Sequence, residues 1–282
     1  MRRAIAVASM AVIIAAAVLC PPAAADKALP ACSQTATVIN PKTQLAHQDC
    51  RLHSGDRKSL DFDVRYFNLP EAPGPLAVKV IATTPSGEVV QTINELIEPS
   101  SPSPVGLQDL DWDGLDELII PMAQHPYNGS PNTRFSVWRA DGERLHFERT
   151  QMEGQAVYPS GDGYLVVNGG ALISRDLWFY LPTAAGYSLV TVVTIEAEQL
   201  EPGTNRVLTA SCRMHKEQGL GMVDMLAGPN YPGSGQLPVP EAETTFCNSP
   251  AAKAIWPHAE RVAICSPPEG GNPPICSPGR VQ

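Results

Sequence analysis

Several signals that would point to a known chemistry are absent from this 282-residue chain. It has no C-x-x-C pair, and its histidines, His47, His53, His125, His146, His215 and His258, show no metal-ligand spacing, which argues against zinc and thiol redox centres. There is no G-x-S-x-G elbow, no H-E-x-x-H and no Walker loop. Triad members can lie far apart in sequence, so these absences weigh against a hydrolase without excluding one; the chain is read as a non-enzyme. Basic residues are too few to neutralise phosphates, 20 against 29 acids, so nucleic acid is not an expected partner. After residue 25 no stretch approaches the roughly 20 apolar residues of a membrane-spanning helix. Helical periodicity of convincing length is missing, and so is any internal repeat.

What is present begins with an export signal. Residues 1–25 carry Arg2 and Arg3, an apolar run over 4–19, and a small-residue end that fits cleavage before Asp26. Cys20 follows Ala17, Val18 and Leu19, which departs from a lipobox, so a lipid anchor there is not expected. Loss of the two arginines takes the formal charge from −9 to about −11, which suits a cationic partner. The six remaining cysteines, Cys32, Cys50, Cys212, Cys247, Cys265 and Cys276, form an even set in an exported chain and read as disulfides. Sequence does not choose among the pairings; Cys32 with Cys50, Cys212 with Cys247 and Cys265 with Cys276 close the shortest loops. A periplasmic or secreted protein is expected.

Strand signals dominate the middle of the chain. Alternating or continuous apolar runs cover 60–67, 76–83, 88–97, 117–122, 134–140, 145–149, 164–168, 176–181 and 187–196, with turn residues between them. The expectation is all-β: an antiparallel β-sandwich or barrel-like domain over 60–218, preceded by a disulfide-bearing segment at 26–59. From 219 to 282 proline and glycine accumulate, which reads as a wrapped or partly disordered C-terminal extension held by its cysteines.

The most informative stretch is 105–121, VGLQDLDWDGLDELIIP. Asp109, Asp111 and Asp113 occupy alternate positions and lead into Gly114, and such carboxylates repel one another unless a cation lies between them. A hard cation such as Ca²⁺ takes six to eight oxygens, and positions 1, 3 and 5, a backbone carbonyl at 7 and an acid at 9 supply them. Leu115 gives the carbonyl and Glu117 the acid at position 9. An EF-hand would need Glu at position 12, where Ile120 stands, and a second helix, where a strand is read. The plain alternative is an Asp- and Gly-rich turn. Acidic pairs such as Asp61 with Asp63 and Asp116 with Glu117 read as solvated faces, and Trp112, Trp138 and Trp178 as core aromatics, Trp112 behind the acidic loop.

Four landmarks in order resemble exported bacterial proteins with the fold of the periplasmic inhibitors of invertebrate-type lysozyme, carrying one calcium loop: GEVVQTI at 87–93, LQDLDWDGLDELIIP at 107–121, YNGSPNTRFSVWRADGERLHF at 127–147, and DLWFYL around Trp178. The likeness spans 60–196 and departs at the N-terminal cysteines and the C-terminus. It implies an inhibitor, of the immunity type, that plugs the cleft of a lysozyme-like peptidoglycan hydrolase. Such a cleft works through two carboxyl groups, so the inhibitor needs a protruding loop with hydrogen-bonding groups. Two loops are candidates: 125–133, with Tyr127, Asn128, Ser130 and Asn132, and 158–164, with Tyr158, Ser160 and Tyr164. The acidic loop also resembles those of FG-GAP and VCBS repeats, which leaves a calcium-stabilised adhesion or structural module as the alternative; a single copy argues against a propeller.

Overall fold

The computed structural model describes residues 29–35, 48–68, 75–98, 104–127, 130–141, 145–214, 222–225 and 235–262. The expected signal peptide, Asn128, Cys265 and Cys276 lie outside them. The fold is all-β, built from consecutive antiparallel strands in three main sheets. The first joins β1 (Cys50–His53), β2 (Asp61–Asn68), β3 (Pro75–Thr83) and β4 (Val89–Leu96) in chain order. The second joins β5 (Gly106–Gln108), β6 (Glu117–Tyr127), β7 (Ser130–Ala140) and β8 (Phe147–Gly154). The third runs through β9 (Ala156–Pro159), β10 (Leu165–Ala171), β11 (Ser174–Thr183), β12 (Gly186–Leu200) and β13 (Val207–Met214). Beyond it come the ribbon of β14 (Met222–Met225) and β15 (Gly235–Pro238), the helices α1 (Val239–Cys247) and α2 (Pro250–Ala254), and β16 (Glu260–Arg261), which lies parallel to β13.

Strand alternation decides how the sheets stack. Phe62, Val64, Val78, Val80 and Ile93 of the first sheet share a core with Leu118 and Ile120 of the second. On the other face of the second sheet, Phe135, Val137 and Met152 meet Leu165, Val167 and Tyr180 of the third. The residues between these on the third sheet, Val166, Leu177, Phe179, Val193 and Ile195, pack on Ala242, Phe246, Ala251 and Ala252 of the helices. The second and third sheets are thus covered on both faces, which is why β6 and β10 read as unbroken apolar runs rather than alternating ones.

Within the expected N-terminal segment, the described residues join the first sheet: β1 pairs with β2, and Cys32–Cys50 lies in the first core. Within the expected C-terminal extension, the described α1 and α2 pack on the third sheet, and Cys212–Cys247 ties α1 to β13. Helices of nine and five residues are too short to show periodicity; they are held by packing rather than by intrinsic propensity. The chain-entropy model gives about 3 kcal/mol for Cys32–Cys50 and about 4 kcal/mol for Cys212–Cys247, from the lengths of the loops they close. Both disulfides fit an exported protein in an oxidising compartment. No helix among the described residues is long and apolar enough to cross a membrane.

The turn between β1 and β2 reaches across to the second sheet. Asp56 Oδ1 accepts from the N–H groups of Lys58 and Ser59 and the Ser54 hydroxyl, and its Oδ2 accepts from Asp116 N–H at 3.0 Å. In return Gly55 N–H donates to Asp116 Oδ2 at 2.9 Å. Burial alone would raise the Asp56 carboxyl, but the N–H groups of Asp116 and Lys58, the Ser54 hydroxyl and Ser59 N–H outweigh it and hold it below its ordinary value. A depressed carboxyl contributes stability above its unfolded value of about 3.9 and loses it as pH falls through the folded value. Asp56→Ala should therefore cost about 2 kcal/mol in urea unfolding at pH 7. The gap between variant and parent should shrink below about pH 4; a gap that does not depend on pH would contradict this role.

Candidate metal centre

The acidic loop is the connection between β5 and β6, whose residues Gln108 and Glu117 face each other at its base. Leu110 and Leu115 are fully buried, the first in the core between the second and third sheets, the second in the core between the first and second. The loop is thus pinned from both sides. Trp112 and Gly114 adopt left-handed backbone, φ 57° and 80°, which lets the chain reverse in so few residues. Trp112 is 63% exposed, which corrects the expectation that it packs behind the loop. Trp138 is half-buried and donates its indole N–H to Glu95, and Trp178 is half-buried against the core between the second and third sheets.

One oxygen each from Asp109, Asp111 and Glu117 lies within 4.8 Å of the other two. Glu117 is fully buried, so it is not part of a solvated acidic face. Its Oε2 accepts from Leu110 N–H at 2.8 Å, while its Oε1 is buried without a well-formed hydrogen bond, the Tyr187 hydroxyl lying close enough to this carboxyl to lower its pKa. Asp109 repeats the pattern: Oδ2 accepts from Gly114 N–H at 3.2 Å and Oδ1 is buried without a partner. Asp111, whose side chain is 1% exposed, accepts from Arg139 at 3.1 Å and from Asp113 N–H at 3.3 Å. Burial, with Asp111 and Asp113 nearby, pushes the Glu117 carboxyl up to about 8. Burial, then the neighbouring Asp111, also raises Asp113. Burial is the larger cause of both shifts, and the neighbouring carboxylates add to it.

Of the five expected ligands, three carboxylates come together. Asp113 stands on the rim, accepting from Leu115 N–H at 2.8 Å and lying 3.8 Å from Arg139. Leu115 buries its side chain and can offer only its carbonyl, as expected of position 7. Arg139 on β7 and Tyr187 on β12 were not legible as site residues. The Arg139 guanidinium sits 5.0 Å from the centre of the Tyr187 ring and donates to Thr183 O at 2.9 Å. Only the pairing of sheets brings β7, β11 and β12 to this loop.

The two candidate partner loops fare differently. Residues 125–127 and 130–133 are not loop but the ends of β6 and β7, paired as His125 with Asn132, Pro126 with Pro131 and Tyr127 with Ser130, with Asn128 between them outside the described residues. In the second loop Ser160 is buried and its hydroxyl closes the turn, accepting from Tyr164 N–H at 3.0 Å and from Asp162 N–H at 3.3 Å and donating to Asp162. Tyr164 is a core residue, stacked edge-on against Phe179 and Phe246. Tyr158 is half-buried against the same core. Ser160 and Tyr164 therefore cannot present their groups to a partner.

No protein-family model matches the chain, and no curated protein matches it. The resemblance to the inhibitor fold therefore stands on the sequence motifs alone. A solved structure described as a Xanthomonas type IV secretion system related protein is similar, with 12% identity, a TM-score of 0.37, and a match that covers 72% of this chain and 98% of that one.

Proposed function

We propose that this chain is an exported calcium-binding β protein that acts by binding, as an inhibitor of a lysozyme-like peptidoglycan hydrolase. The observation that carries the calcium reading is the convergence of the Asp109, Asp111 and Glu117 carboxylates, with Asp109 Oδ1 and Glu117 Oε1 buried and without a well-formed hydrogen bond. An uncompensated buried carboxylate oxygen is costly. The donor set is all oxygen, which selects a hard cation, and two Ca–O bonds placed across an ion span about 4.6 to 5.2 Å. The three oxygens lie within 4.8 Å of one another, near enough to share one ion. Asp109, Asp111 and Glu117 would hold the ion, with Leu115 O and Asp113 completing the shell. The ion's contribution is charge balance: it would fix the β5–β6 connection against both flanking cores, leaving catalysis no part in its role.

The inhibitor reading is supported by the family resemblance over 60–196 and by an acidic chain suited to a basic enzyme. With Ser160 and Tyr164 buried, the stretch 125–133 is the remaining partner-binding candidate. The test is lysis of peptidoglycan by chicken-type, invertebrate-type and bacterial-effector lysozymes with and without the purified chain. Stoichiometric loss of lysis for one class is expected, and Tyr127→Ala should weaken it at least tenfold. The burial of Ser160 and Tyr164 favours a second reading, a calcium-stabilised structural module, which would leave every lysozyme in the panel fully active.

A further inference from the structure

A cleft of about 800 Å³ opens beside the acidic loop, between β7 and β8 on one side and the β11–β12 turn on the other. Its walls include Asp113, Arg139, Asp141, Glu148, Arg149 and Tyr187. The two arginines do not make it basic. Arg139 is drawn to Asp111 and Asp113, at 3.1 and 3.8 Å, and Arg149 to Glu95 at 2.7 Å and to Glu153. Each cation is therefore shared between two carboxylates.

Glu148 stands apart from these pairs. The register sets it directly opposite Arg139 across β7 and β8, on the same face of the sheet. The Arg139 guanidinium is nevertheless turned toward Asp111 and Thr183 O, so Glu148 keeps an exposed carboxylate at the cleft wall. Gln151, on the same strand, spends its amide N–H on Tyr187 O at 3.0 Å and retains its amide oxygen as an acceptor. Both groups accept hydrogen bonds, and one carries negative charge; an ammonium or guanidinium group is their complement.

We infer that this cleft receives a lysine or arginine side chain of a basic protein partner, with Glu148 as its anionic wall and the Gln151 amide oxygen as a second acceptor. The inference rests on the reading of the chain as a binding protein, and it adds where and by what chemistry the partner is gripped. The acidic balance of the whole chain steers such a partner toward it.

The test is an amide-resolved NMR titration of the full chain, in calcium, with hexalysine peptide. Shifts concentrated at 148–151 and 184–187 are expected, with binding about tenfold weaker in Glu148→Lys and weakened in the same direction in Glu148→Gln. Glu201→Lys, in the turn after the end of β12 opposite to Tyr187, should bind as the parent does. Equal losses in Glu201→Lys and Glu148→Lys, shifts spread over the surface, or no shifts in the cleft would overturn the assignment. Spermine binding as strongly as the peptide would overturn the assignment to a protein. Unimpaired lysozymes together with a mapped cleft would sink the hydrolase reading alone; retained inhibition with a silent cleft would sink the cleft alone.

Discussion

Glu117→Gln is expected to change sign with calcium: less stable than the parent when the ion is present, and at least as stable when it is chelated. The reason lies in what Glu117 does in each state. Without an ion, its carboxyl is buried beside Asp111 and Asp113 and held up to about 8, so that near neutral pH it is mostly protonated. Glutamine keeps an oxygen for the Leu110 N–H that Oε2 now accepts and is neutral as well, so little is lost. With an ion, the ionised carboxylate is a ligand, and its loss removes the stabilisation that binding to the native state confers. At a calcium concentration a hundred times Kd that stabilisation is about 2.7 kcal/mol, or roughly 5 to 10 °C in Tm for a domain of this size. Asp111→Ala should lose the same increment and also destabilise the chelated protein, because it leaves the largely buried Arg139 without its nearer carboxylate. Melting curves of parent and variants, each with calcium and with chelator, check both statements. Glu117→Gln destabilised equally in the two conditions would contradict a metal role.

The second large effect belongs to the C-terminal helices. Phe246 is 1% exposed and sits against Phe179 and Tyr164, ring centres 5.0 and 5.4 Å away. It covers the outer face of the third sheet, where Leu177, Val193 and Ile195 are fully buried. Phe246→Ala should cost about 3 to 5 kcal/mol in urea unfolding, a large part of the roughly 5 to 15 kcal/mol that holds a typical domain folded. Reducing Cys212–Cys247 should add to that loss, since it frees α1 from β13. A cost below about 1 kcal/mol for Phe246→Ala would mean that the helices do not cap the stack.

What could be read from the chain follows physical lines. The central strands were legible because two-sided burial writes itself as apolar runs, as in LIIP of β6 and LVV of β10. The short strands β1, β5 and β9 were not, since three or four residues with mixed exposure carry no period. The helices escaped notice because proline frequency outweighed a nine-residue segment whose stability comes from Phe246 and a disulfide. In the candidate metal centre, the spacing of Asp109, Asp111 and Glu117 pointed to the cluster, because those residues are neighbours along one loop. Arg139 and Tyr187 reach it, and Asp56 reaches the neighbouring Asp116, only through sheet pairing and packing, which no local pattern encodes. Ser160 was misjudged for a related reason: a serine before Gly-Asp-Gly looks presented, yet its hydroxyl is the bond that closes the turn.

The most direct test is a calorimetric titration of calcium into the metal-stripped chain, with magnesium titrated in parallel. One calcium ion per chain is expected, with heat that disappears in Glu117→Gln and is much weaker with magnesium. No calcium heat, together with melting curves that superimpose in calcium and chelator, would contradict the proposal that these carboxylates form a metal site.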